Sequence, residues 1–190
     1  MPADNRSNLL VQALQLFADR GYDAVGVQQI VQAAGVTKPT LYHYFGSKRG
    51  LLDAILDEHY NRLLEKLRAA ATYQGDLPLT LTRVARAYFD FARENQTFFR
   101  LQLAMCYGPL HSEPYQAVMR GSDEQQSLIE GLFIQAAEDH GNMRERHKRY
   151  AITFLGMLNT YVGMALRGLT DLDEELTREA VHQFQHGIYS

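Results

Sequence analysis

The stretch that decides the fold is Val27-Gln28-Gln29-Ile30-Val31-Gln32-Ala33-Ala34, then Gly35-Val36-Thr37, then Lys38-Pro39-Thr40-Leu41-Tyr42-His43-Tyr44-Phe45, closed by Gly46-Ser47-Lys48. Val27, Ile30, Val31 and Ala34 fall at the spacing of one helix face, and Gly35 supplies the left-handed stop that ends it. Gly26 is a permissible start. Thr37 can cap a following helix whose first turn holds Pro39, where a proline forfeits no hydrogen bond. Two short helices on a tight glycine turn have helix-turn-helix spacing. At about 100° per residue, Leu41 and Phe45 share one side of the second helix. Tyr44 lies on the flank, and Pro39, Thr40, Tyr42 and His43 take the other side. Such a polar and aromatic face suits a DNA major groove. Hydroxyls bond phosphates, a phenol ring lies on sugar or a thymine methyl, and a neutral imidazole donates or accepts. Ser47 and Lys48, opening the next helix, can hold the flanking backbone with that helix's positive end. On spacing alone, a helical hairpin with a solvated outer face fits equally well.

Working outward, Leu10, Ala13, Leu14 and Phe17 predict a helix over residues 5–20, with Gly21 as its stop. Downstream, Leu52, Ile55, Leu56, Leu63 and Leu67 mark one face of a long helix that Gln74-Gly75-Asp76-Leu77-Pro78 breaks. Further helices are predicted over 79–94, 96–107, 114–140, 143–167 and 173–188, and Asn142 with Glu145 has the form of a capping box. Five prolines and no Asn-Gly or Asp-Gly dipeptide in 190 residues exclude a sandwich or barrel of many hairpins. The expected fold class is all-α.

Charge is unevenly placed. The chain carries −3 overall, yet residues 1–50 hold five Lys/Arg against three acids, so affinity for a polyanion is expected at the N-terminus. A lone cysteine, Cys106, excludes an internal disulfide and a cysteine zinc cluster. The polar start Met1-Pro2-Ala3-Asp4-Asn5 has no signal-peptide pattern, and the longest charge-free apolar stretch, residues 151–166, is shorter than the ~20 residues a membrane span takes. A cytoplasmic protein without membrane contact is the expectation.

Gly21-Tyr22-Asp23-Ala24, residues 30–35 and the run from Thr37 to Lys48 resemble the tetracycline-repressor (TetR) family of bacterial transcriptional regulators. The likeness covers roughly residues 6–56. It implies a three-helix DNA-binding domain over 1–50, a connecting helix over 51–75, and a helical ligand-binding and dimerisation domain over 76–190. The implied protein is no enzyme and needs no cofactor. It is a homodimer on a palindromic double-stranded operator, a repressor released by a small effector. By resemblance Thr37, Lys38, Thr40, Tyr42, His43 and Lys48 sit at DNA-contacting positions, while Leu41, Phe45 and Ile30 form the small core. Two departures stand out. Val25, Gly26 and Gln28 replace the usual Thr or Ser and basic residue that open the second helix, leaving Gln28 as the candidate phosphate or base contact. Pro39 replaces the more usual glycine.

In the remainder, Phe98, Met105, Phe133, Phe154 and Met157 offer apolar lining for a hydrophobic or aromatic effector. Arg100, Gln102, Asn159 and Tyr161 are polar groups that can orient it. Gly156, Thr160 and Gly163 make a strip of small residues that permits close helix approach. By resemblance the last two helices pair with their copies there, Phe184 and Ile188 adding apolar contact. His182 and His186 have the i, i+4 spacing that places two imidazoles on one metal, but no third ligand is evident, and they read as an exposed or interface face. Glu179 with His182 has a Glu-x-x-His form without the second such pair that a di-iron bundle requires. Cys106 reads as an inert thiol, and Arg144, Arg146, Lys148 and Arg149 as a solvated helix start. Three readings compete: a ligand-responsive repressor, a DNA-binding protein of the same fold that recruits a partner without an effector, and a metalloenzyme using the two histidines.

Overall fold

In a computed structural model, which describes residues 5–139 and 143–187, the apolar periodicity becomes nine helices and no strand among those residues. They are α1 (Asn5–Arg20), α2 (Val27–Ala33), α3 (Lys38–Phe45), α4 (Lys48–Ala70), α5 (Leu77–Glu94), α6 (Gln96–Cys106), α7 (Glu113–Asp139), α8 (His147–Ala165) and α9 (Glu174–His186). None of these helices is long and apolar enough to cross a membrane.

The chain divides into two compact units, one built from residues 1–60 and 97–121, the other from 61–96 and 122–190. In the first, α1, α2 and α3 pack on one another through Leu9, Ala13, Ile30 and Leu41, all fully buried. Each of the Leu and Ile side chains contributes about 1.5–3 kcal/mol on burial. Phe45, expected in this core, is only half-buried, because it ends α3 at the rim, where the Arg6 guanidinium lies 5.7 Å from its ring centre. Gly35 and Gly46 adopt φ of +64° and +72°, conformations only glycine takes without strain, and so stop α2 and α3 where the sequence places the turns. The same unit holds α6 and the start of α7. Phe98 stacks on His59 at 4.7 Å and meets Tyr60 edge-on at 5.5 Å. Tyr60 also presses so close to Gly121 that a Cβ there would fall 2.3 Å from its ring.

The second unit is centred on α5, whose buried Leu81, Val84, Ala85, Phe89 and Ala92 lie on one face, and which packs on α8 and α9. Asp76 and Asp173 cap α5 and α9, each carboxylate accepting a backbone N–H three residues on at 2.8 Å. Phe133, Phe154 and Phe184 form an aromatic cluster with ring centres 5.1–6.4 Å apart, and the Tyr88 hydroxyl donates to Asn159 at 2.6 Å. Helix α8 begins at His147 rather than at 143. Glu145 has φ +63°, which interrupts any helix there, and Asn142 of the expected capping box lies outside the described residues.

Candidate nucleic-acid interface

Burial of Leu41 fixes the rotation of α3, and with it the residues that face out. Lys38, Pro39, Tyr42, His43 and Tyr44 are exposed, Tyr42 by 48% and Tyr44 by 41%. The Thr37 and Thr40 hydroxyls are 2.9 Å apart, so Thr37 caps α3 by backbone position while its side chain engages Thr40. His43 meets Tyr44 edge-on at 5.3 Å on the open side of the helix, and Tyr44 lies 6.1 Å from the half-buried Phe45. The helical wheel puts Tyr44 on a flank, outside the contact candidates; its exposed ring adds it to them.

On α2, Gln28 and Gln29 are both exposed, and the Gln29 side-chain oxygen accepts the Gly26 N–H at 2.8 Å. Gln29 thus reaches back to satisfy the N–H of the capping residue, the half of a capping box that needs no hydroxyl, while Gly26 offers no side chain to the first turn, and Gln28 keeps an exposed amide. Ser47 caps α4, its hydroxyl accepting the Gly50 N–H at 2.9 Å. Gly50 carries a requirement that periodicity does not reveal: a Cβ on it would fall 2.0 Å from the Phe45 carbonyl oxygen, so the tight step from α3 to α4 needs glycine.

Lys48 departs from expectation. Its ammonium donates to the Tyr22 and Val25 carbonyls, both at 3.1 Å, and lies 4.0 Å from the centre of the Tyr22 ring. Two of its three N–H bonds are thus directed inward, where they hold the turn that leads into α2. Lys48→Ala should lower the stability of this unit by about 1.5–3 kcal/mol. It should weaken DNA binding alike for every sequence, and the slope of log affinity against log salt should change by less than the ~0.9 expected of a lost phosphate contact. Urea unfolding and a salt series read the two effects separately.

Behind the turn, the Tyr22 hydroxyl donates to Glu113 at 2.7 Å at the start of α7; burial, then this bond, push the Tyr22 pKa up. Arg49 donates to Asp53 at 2.9 Å and to the Glu113 carbonyl at 3.3 Å. Arg100 of α6 pairs with Asp19 at the end of α1 at 3.0 Å, and Arg120 of α7 pairs with Asp57 of α4. Arg100, expected to orient an effector, is instead an exposed member of this set of ties, turned away from the buried face of α6.

The other sequence candidates separate by burial. Phe98, Gln102 and Met105 lie within the first unit at 5% exposure or less. The Gln102 side-chain oxygen has no hydrogen-bond partner, and its nitrogen is 3.5 Å from Cys106 Sγ. In the second unit Gln125 is likewise buried, with its amide nitrogen unpartnered. Phe133 and Phe154 belong to the aromatic cluster at 1% exposure or less. Met157 and Tyr161, read as ligand residues, share an open groove of about 540 Å³ with Thr160 and Phe184, read as interface residues. Gly156 is exposed with nothing within 4 Å of where its Cβ would be, and Gly163 is half-buried. Ile188 lies outside the described residues.

Residues 9–55, which contain this interface, match the family described as "Bacterial regulatory proteins, tetR family". That segment is a DNA-binding domain of the tetR family, and the chain is a DNA-binding transcriptional regulator of the helix-turn-helix kind. It is similar along 98% of its length to the HTH-type transcriptional activator FasR of Mycolicibacterium smegmatis, at 29% identity over 84% of that relative. The HTH-type transcriptional repressor KstR2 of Rhodococcus jostii is 35% identical over 85 residues, 45% of this chain and 42% of the relative. The crystal structure of the TetR-family regulator PfmR from Thermus thermophilus superposes with a TM-score of 0.75 at 25% identity, covering 96% of this chain and 99% of that one. FadR from Bacillus subtilis, solved in complex with stearoyl-CoA, shares the fold with a TM-score of 0.81 at 18% identity over 96% of this chain and 99% of that one.

Proposed function

We propose that the chain acts as a homodimer on a palindromic operator, reads base edges with α3, and is released by a small hydrophobic effector. The observation that carries the DNA reading is the face of α3: Tyr42, His43 and Tyr44 stand exposed on a short helix anchored by a fully buried Leu41. An apolar anchor beneath a rigid polar-aromatic face is what groove reading requires. Lys38, Thr37, Thr40 and Ser47 flank it as backbone contacts, with Gln28 on α2. Tyr42→Ala and His43→Ala should each lower affinity for the operator by about 1–3 kcal/mol while leaving binding to random DNA nearly unchanged. Fluorescence anisotropy on both duplexes checks this, and equal losses on both would mean that α3 does not read bases.

Dimerisation is assigned to α8 and α9. Gly156, Thr160 and Phe184 lie on a face where Met157, Tyr161 and Met164 add apolar surface around the groove. The effector is assigned to the interior, where each unit holds one unpartnered amide end, Gln102 in the first and Gln125 in the second, with hydrogen-bonding capacity that a guest's polar group would satisfy. A long-chain acyl-CoA is the guest to test first, because FadR of the same fold was solved with stearoyl-CoA. A ligand acts at a distance through α4, continuous from Lys48 to Ala70, and through the ties of Asp19, Tyr22 and Asp57 to α6 and α7. Linkage then requires operator DNA to weaken stearoyl-CoA binding by the same factor by which stearoyl-CoA weakens operator binding. Titrating each in the presence of the other measures this coupling twice; two unchanged affinities would remove acyl-CoA as the effector.

A second reading has its own support. FasR, a relative similar over 98% of the chain, is named an activator, whereas KstR2 of Rhodococcus jostii matches over less than half. A reporter gene carrying the operator separates the two: expression falls for a repressor and rises for an activator.

A further inference from the structure

Helix α9 carries Glu175, Glu179, His182 and His186 at i, i+4, i+7 and i+11, which at about 100° per residue is a single narrow stripe. Its buried residues Thr177, Ala180 and Val181 lie on the opposite side, so the stripe points away from the core. All four residues are exposed, and among the described residues none is in an ion pair. The two imidazole rings lie against each other, centres 4.5 Å apart and planes inclined by 40°, and the i, i+4 spacing is one at which two imidazoles can reach one ion. No group of three or more potential ligands forms within the described residues of one chain. A single copy therefore supplies two nitrogen donors and leaves the site incomplete.

The order of the stripe tells what completes it. Carboxylates occupy its first half and imidazoles its second, so a two-fold-related copy running antiparallel brings its carboxylates opposite the histidines, and the reverse contact follows by symmetry. We propose that His182 and His186 of one copy, with a Glu179 or Glu175 carboxylate from the second copy, bind a divalent transition-metal ion of the zinc class across the α9 face. Two imidazoles and one carboxylate make a recognised zinc donor set, and imidazole selects zinc, copper or nickel over magnesium or calcium. The ion ties the polar α9 stripes of the two copies together and adds to the apolar contact that Met157, Tyr161 and Met164 give the proposed dimer. This inference rests on the α8–α9 dimer proposed above.

The test uses untagged full-length chain and Zn2+ as the probe, with the dimer dissociation constant measured by analytical ultracentrifugation in EDTA and in saturating Zn2+. Zinc should tighten the dimer at least tenfold. His182→Ala and His186→Ala should each abolish that effect while leaving the constant in EDTA and the helical circular dichroism unchanged, as exposed positions permit. Glu179→Gln together with Glu175→Gln should do the same. Zinc that binds the wild-type chain without altering the dimer constant would mean a chelate on one helix only and overturn the shared site, as would the absence of zinc binding. A dimer indifferent to zinc sinks this inference alone. A chain monomeric under both conditions sinks it together with the dimer reading. A monomer in EDTA that dimerises in zinc supports the site and corrects the constitutive dimer.

Discussion

Gly156→Arg should leave the monomer folded and lower operator affinity by about three orders of magnitude, the span that separates specific from non-specific binding. The position is exposed, with nothing within 4 Å of the added Cβ, so the substitution meets no resistance inside the chain. Its effect falls on a second copy. An arginine on the small-residue strip keeps two α8 helices from close approach and places a desolvated charge between them, which costs several kcal/mol if left unpaired. Two recognition helices held one helical turn of DNA apart, about 34 Å, bind cooperatively, whereas a single three-helix head binds through one half-site. Sedimentation velocity should show the variant at monomer mass with unchanged helical content. A variant that stays dimeric would place the interface elsewhere, and a monomeric variant that keeps operator affinity would show that specific binding does not need the dimer.

Gly50→Ala should destabilise the DNA-binding unit by about 3 kcal/mol and remove specific binding, since the added Cβ would sit 2.0 Å from the Phe45 carbonyl oxygen. That oxygen belongs to backbone at the α3–α4 step and cannot move without displacing α3 itself. Gly26→Ala is the control. Gly26 has φ −86° and ψ 154°, accessible to alanine, and its Cβ would meet only Gln29 Oε1 at 3.8 Å. Urea unfolding followed by tyrosine fluorescence should separate the two variants, the control remaining within about 0.5 kcal/mol of the parent chain.

The helices were legible in the sequence wherever their signals are local. Periodic Leu, Ile and Val, the positive-φ glycines 35 and 46, and the cap at Ser47 act within a few residues, and α1, α2 and α3 fall where such signals put them. The exposed face of α3 was legible for the same reason, since burial of Leu41 alone orients the helix. Lys48 was not: its partners Tyr22 and Val25 are 26 and 23 residues away, and a cation at a helix start reads as a phosphate contact until the carbonyls that hold it are known. Arg100 and Asp19 are 81 residues apart and Tyr22 and Glu113 are 91, separations at which no periodicity carries information. Gly50 was silent because a glycine inside a helix start shows its purpose only when the opposing carbonyl is in place. In the second unit, apolar composition marked Met157 and Tyr161 as pocket residues, and small-residue spacing with the resemblance marked Thr160 and Phe184 as interface, yet the four share one groove. Which face of α8 a residue occupies depends on the packing of α5 and α9, which no local pattern encodes.

The central claim, that two copies read a two-fold-symmetric DNA site through α3, is tested most directly by selecting a random duplex library with the purified full-length chain and sequencing what is retained. The account predicts enrichment of one palindromic motif, its half-sites centred about one helical turn apart. Two chains should bind each duplex, and the enrichment should be lost in the Tyr42→Ala, His43→Ala double variant. A library retained without sequence preference, or a non-palindromic motif bound by one chain, would contradict it.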